Sequence, residues 1–126
     1  MTQEMKDFAV RTITRNILTP VIYMIEQENS IDFICFCDRR ITMQEVYDTE
    51  HIIYAETNKH IEILDIREFR ESDRIEVINQ ATLIYSEHPF IEMVFTRSML
   101  EDFKNAMDDR NDVLERYRES GTYYLQ

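Results

Sequence analysis

A chain of 126 residues with a single glycine, Gly121, has few ways to hold a nucleotide. Glycine supplies the open backbone of tight phosphate loops, because it has no Cβ to block a close approach. Neither a P-loop nor a dinucleotide-binding Gly-x-Gly-x-x-Gly turn can therefore be drawn here. Any nucleotide chemistry would need a different cradle. Repeats and low-complexity linkers are also absent, so residues 1–126 read as one domain.

The formal net charge is −11. Such a chain is repelled by phosphate backbones and anionic lipid, which disfavours direct nucleic-acid or membrane binding. It can still meet a basic protein surface, or bind cations that bring phosphates with them. The plainer alternative is a solvated acidic surface. The longest apolar runs fall far short of the ~20 residues of a membrane helix. Met1-Thr2-Gln3-Glu4 has neither a basic start nor an apolar stretch, so no secretory leader is expected. Cys35 and Cys37 stand two apart, an awkward spacing for a disulfide and too few thiols for zinc. They read as buried small apolar residues in a reducing compartment, the cytoplasm.

Hydrophobic spacing predicts helix over residues 4–28, through Phe8, Ile13, Ile17, Val21 and Ile25. Pro20 interrupts it, with Thr19 as the cap of a second helix. Ile31 to Phe36 reads as a buried strand. Thr42 and Glu45 form a capping-box pattern that opens a short helical turn. His51-Ile52-Ile53-Tyr54-Ala55 and residues 61–66 read as strands, joined as an antiparallel hairpin through Thr57-Asn58-Lys59. Asp73 and Glu76 suggest a cap for a short helix over 74–80. Thr82-Leu83-Ile84-Tyr85 is a further strand, and Pro89 starts a long helix. That helix carries a stripe of Met93, Phe95, Met99, Phe103, Ala106 and Met107, continued by Val113, Leu114 and Tyr117. The expected fold is α/β in the α+β sense, a small mixed sheet packed with helices and closed by a long C-terminal helix. Such a stripe serves either the core or, in part, docking to another chain.

Three phrases in order resemble the minimal nucleotidyltransferase (MNT) domains of the polymerase-β-like superfamily, often encoded beside a helical HEPN partner. They are Ile61-Glu62-Ile63-Leu64-Asp65-Ile66, Glu76-Val77-Ile78-Asn79-Gln80-Ala81 and Thr82-Leu83-Ile84-Tyr85-Ser86. A helix ending like Leu114-Glu115-Arg116-Tyr117-Arg118 is similar too. The resemblance implies a strand ending in Gly-Ser that holds the triphosphate, an Asp-x-Asp pair further along that binds magnesium, and a third carboxylate on the following strand. Phosphoryl transfer concentrates negative charge, and metal ions held by carboxylates offset it.

Laid on this sequence, the Gly-Ser positions fall at Cys37, Asp38 and Arg39, where a Cβ and a carboxylate replace the open cradle. The carboxylate positions fall at Asp48, Glu50 and Glu62, which would hold magnesium and act in catalysis if the site is active. A solvated loop remains the plainer reading of Asp48 and Glu50, and a solvent-facing strand position that of Glu62. Arg39 and Arg40 would meet a phosphate or a carboxylate. His51, His60 and His88 read as surface or capping residues. The resemblance implies a nucleotidyltransferase-like antitoxin with a degenerate site, needing no cofactor, that neutralises a HEPN-type ribonuclease toxin by binding. The alternatives are an enzyme moving AMP from Mg-ATP to a partner protein, and a homo-oligomeric module built through the long helix.

Overall fold

The computed structural model describes the backbone of residues 1–120 and the side chains of residues 1–110. In chain order the elements are α1 (Gln3–Ile17), β1 (Val21–Glu26), β2 (Ile31–Phe36), α2 (Met43–Thr57) and β3 (Glu62–Asp65). A single 3-10 turn (Ile66–Glu68), α3 (Glu71–Asn79), β4 (Thr82–Ser86) and α4 (Pro89–Ser120) follow. The strands form one mixed sheet in the order β3-β2-β1-β4. β1 pairs antiparallel with β2 and with β4, and β2 pairs parallel with β3.

Helices cover both faces of this sheet. On one face Ile22, Met24, Phe33, Cys35 and Ile63 pack with Ala9, Ile13 and Ile17 of α1 and Ile53 of α2. On the other, Val21, Tyr23, Ile34 and Phe36 pack with Ile78 of α3 and Met99 of α4. Phe36 meets Phe95 of α4 edge-on, with ring centroids 5.4 Å apart. Each large apolar side chain so buried contributes roughly 1.5–3 kcal/mol. Strands covered on both sides lose the alternation of apolar and polar residues. This explains why residues 20–28, read as a second helix from sequence, are instead β1 and its turn. Val21-Ile22-Tyr23-Met24-Ile25 is an unbroken apolar run, which strand and helix share. Pro20 suits the first residue of a strand as well as the first of a helix.

A second correction falls on residues 51–55, which lie in the second half of α2 and form no strand or hairpin. The Thr42–Glu45 capping box is present, and it opens a helix of 15 residues rather than a single turn. Buried Thr49, Ile53 and Thr57 fall on one helical face. The hydroxyls of Thr49 and Thr57 donate to the carbonyls four residues back, each at 2.7 Å, which satisfies them inside the core. A third correction concerns α3, which starts at Glu71 behind Arg70 and has no side-chain cap. Asp73 instead accepts from Arg70 Nε at 3.1 Å. Along α4, Met99 is buried while Met93 is exposed, so the expected stripe is not all core. Val113, Leu114, Tyr117 and the tail Tyr123-Tyr124-Leu125 lie outside the described side chains. Among the described residues no helix is long and apolar enough to cross a membrane.

The shortage of glycine has a local cost. α1 and α2 both end on a left-handed residue, at Leu18 (φ 60°) and Asn58 (φ 58°). Asparagine tolerates this region, whereas leucine loses roughly 1–2 kcal/mol to the contact of its Cβ with the backbone. Leu18→Gly is therefore expected to raise the unfolding free energy by about 0.5–1 kcal/mol, after the greater freedom of glycine in the unfolded chain is deducted. Urea denaturation checks this.

Candidate functional site

Asp48, Glu50 and Glu62 go to three different surroundings. Asp48 lies on the exposed side of α2, where its carboxylate accepts from Gln44 Nε2 at 2.7 Å. Glu50, also on α2, turns to the sheet edge and accepts from the backbone N–H of Ile63 at 2.9 Å. That N–H belongs to edge strand β3, so Glu50 caps a ladder position that has no strand beside it. Glu62 sits one residue earlier, exposed, between buried Ile61 and Ile63. The first two residues thus stand on a helix rather than at the mouth of a strand. Among the described residues no group of three or more His, Cys, Asp or Glu side chains is placed to hold a metal ion.

The positions read as a nucleotide cradle are engaged in the fold. Cys37 is buried with Cys35 in the α1–α2 layer, both thiols are free, and burial pushes both upward in pKa. Asp38 is exposed. Arg39 grips Glu45 with two nitrogens, at 2.8 and 2.7 Å, and donates to the carbonyl of Ile17 at 3.1 Å. The fork of a guanidinium matches a carboxylate in this way. It ties the end of α1 to the start of α2, and the Arg39 hydrogen bond holds the Glu45 carboxyl down at about 2. The histidines are surface or capping residues, as read from sequence. His51 stacks on Tyr47 and His60 on Tyr54, while His88 Nδ1 accepts from Phe90 N at the start of α4.

Sequence reasoning missed one pair of carboxylates. The parallel register of β2 and β3 sets Asp32 beside Glu62. Phe33 and Ile63 point to the α1–α2 layer, so by strand alternation Asp32 and Glu62 point to the α3–α4 side. Neither makes an ion pair among the described residues. Burial raises the Asp32 carboxyl above its ordinary value, and the charge of Glu62 raises it further. No local signal marks this pair, because its partners are 30 residues apart and only register joins them.

Asp65, at the end of β3, is buried at 4% exposure. It accepts from Arg67 N at 3.0 Å and Ile41 N at 3.4 Å, fastening the turn after β3 to the segment before α2. On α4, Glu92 accepts hydrogen bonds from the Tyr23 hydroxyl and from Thr96 Oγ1. Burial, reinforced by Glu92, pushes the Tyr23 phenol up to about 12. This contact fixes the first turns of α4 over the sheet.

A mixed four-stranded sheet between two helical layers, ending in one long helix, is the architecture of small nucleotidyltransferase-like domains. No known protein family matches the sequence, and no curated protein does. Solved structures do match. One is the tri-AMPylated Shewanella oneidensis HEPN toxin in complex with MNT antitoxin, at TM-score 0.73 and 12% identity over 94% of this chain and 99% of that one. A second is the toxin–antitoxin pair MntA-HepT, at TM-score 0.72 and 13% identity over 93% and 99%. A third is a toxin–antitoxin with AMP-PNP, at TM-score 0.70 and 11% identity over 90% and 98%. The chain therefore has the MNT fold along nearly its whole length. The likeness lies in fold, since the sequences have diverged almost completely.

Two titrations follow from this geometry. The raised Asp32 value means that its contribution to stability is full at low pH and is lost as pH rises through the folded-state value. Ionised Asp32 thus costs stability at neutral pH, and Glu62→Gln should lower its pKa, read from the carboxyl carbon by NMR. Glu45 has the opposite sign. Its contribution is present above the ordinary 4.5 and is lost as pH falls towards about 2. Arg39→Gln should return Glu45 towards its ordinary value and weaken that acid-side dependence, while the Thr42 hydrogen bonds keep part of it.

Proposed function

We propose that this chain is a nucleotidyltransferase-like antitoxin without catalytic activity, which neutralises a helical HEPN-type toxin by binding it. The near full-length match to chains from complexes of an MNT antitoxin with a HEPN toxin carries this reading. Charge supports it. A ribonuclease needs a basic surface for RNA, and a chain of net charge −11 is suited to cover one. Free, buried Cys35 and Cys37 suit the reducing cytoplasm.

Loss of catalysis is supported by the connection between β1 and β2. The resemblance asks for a strand ending in Gly-Ser and, further along, an acidic pair at the start of the next strand. Here β1 ends at Ile25-Glu26, and residues 27–30 turn directly into β2, with Gln27 N bonded to Ser30 O at 2.8 Å. Because Asp48 and Glu50 stand on α2, we read Ser30-Ile31-Asp32 at the start of β2, rather than Asp48-Thr49-Glu50, as the place of the acidic pair, with only Asp32 keeping a carboxylate. Asp32 and Glu62 with no glycine beside them do not fit magnesium-ATP as the resemblance requires it. The competing reading, transfer of AMP to the partner, draws on the tri-AMPylated toxin and the AMP-PNP complex among the similar structures.

Co-expression with a HEPN-type ribonuclease toxin that this chain neutralises is expected to give a stable complex in which RNA cleavage is suppressed. Unchecked cleavage with both proteins folded and soluble would sink the antitoxin reading. Titration with magnesium-ATP should leave the amides of Asp32 and Glu62 unshifted. A shift there that disappears in Asp32→Asn would move AMP transfer to the front.

A further inference from the structure

α4 is apolar on two sides. Its inner side carries Ile91, Phe95 and Met99 against the sheet. Its outer side carries Phe90 and Val94, each 64% exposed, with Met93 exposed between them and Leu100 further along. A helix of a free-standing domain presents one apolar stripe, with polar residues opposite. The outer side joins Leu18, which is 74% exposed and held in the left-handed region at the end of α1. Leucine is a poor choice there twice over, since it strains the backbone and exposes an apolar side chain. Unfavourable backbone of this kind persists where the side chain is needed.

Together Leu18, Phe90 and Val94 line a groove of about 460 Å³, with Pro20 and Ile91 also in its wall. The charged groups lining it are Asp38 and Glu87, both exposed and neither in an ion pair among the described residues. Of the cations nearby in sequence, Arg39 is held by Glu45, and neither Arg40 nor Arg97 lines the groove. An apolar floor with two free carboxylates at its rim fits an apolar side chain flanked by lysine or arginine. Phe90 and Val94, four residues apart, form a ridge of the type that packs into the grooves of another helix.

We propose that this groove is the docking surface for the HEPN-type partner, receiving a helix of that protein that presents an apolar anchor between basic residues. The inference rests on the antitoxin reading and assigns the surface through which it acts. Leu18 serves as a wall of the site, and the strain at its backbone is kept for binding rather than for stability.

The test measures affinity between the purified chain and the HEPN-type toxin that co-expression pairs with it, by calorimetry at two salt concentrations. Phe90→Asp with Val94→Asp should weaken binding roughly thirtyfold or more, the loss typical of central apolar anchors. Asp38→Lys with Glu87→Lys should weaken it about tenfold and flatten its salt dependence. Leu18→Gly should weaken binding while making the chain harder to unfold, a pairing that damage to the fold cannot produce. Ile52→Asp, on the exposed side of α2, serves as the control and should bind like wild type. If the wild type binds and both the aspartate and glycine variants bind equally well, the docking assignment is overturned and the antitoxin reading stands. If the wild type does not bind, both fall. A self-associated wild type that the aspartate variant converts to monomer would give the groove to a second copy of this chain and overturn the assignment to the HEPN-type protein.

Discussion

Phe33 and Phe36 stand three residues apart on β2 and point into opposite layers, one towards α1 and α2, the other towards α3 and α4. Both are fully buried, and the strand between them pairs with β1 along its whole length. Remove this hairpin and neither helical layer has a surface to bury against. The other strands join its two sides, β3 beside β2 and β4 beside β1. One buried polar group closes the same hairpin. The Thr19 hydroxyl lies 2.9 Å from the carbonyl of Val21 and 3.0 Å from that of Phe36, joining the start of β1 to the end of β2.

Within that frame the chain departs from local preference in few places, and they fall near one another in purpose. Leu18 occupies backbone that glycine would fill more easily, and its side chain is left in solvent. Asp32 and Glu62 face each other with no cation between them among the described residues. Stable folds avoid such choices unless something else requires them. Under the function proposed above, the carboxylate pair is the remnant of a site for phosphoryl chemistry. The leucine and the outer side of α4 read as a surface waiting for another protein.

The sequence determined the elements with strong local signals. The capping box of Thr42 and Glu45 marked the start of α2, Pro89 marked α4, and β2, β4 and the buried thiols were legible from composition and length alone. The order of phrases from Ile61 to Ser86 was enough to suggest the fold. Tertiary structure decided whether Val21-Ile22-Tyr23-Met24-Ile25 was helix or strand, because a segment covered on both faces carries no period to read. It likewise absorbed His51-Ile52-Ile53-Tyr54-Ala55 into a helix, since one buried face through Thr49, Ile53 and Thr57 outweighed β-branched preference. The candidate site followed from the same long-range choices. Asp32 meets Glu62 only because β2 and β3 run parallel in one register, and Leu18 shares a groove with Phe90 only because α4 packs back across the sheet. Contacts between residues so far apart leave no trace in local spacing, so only the folded chain could show them.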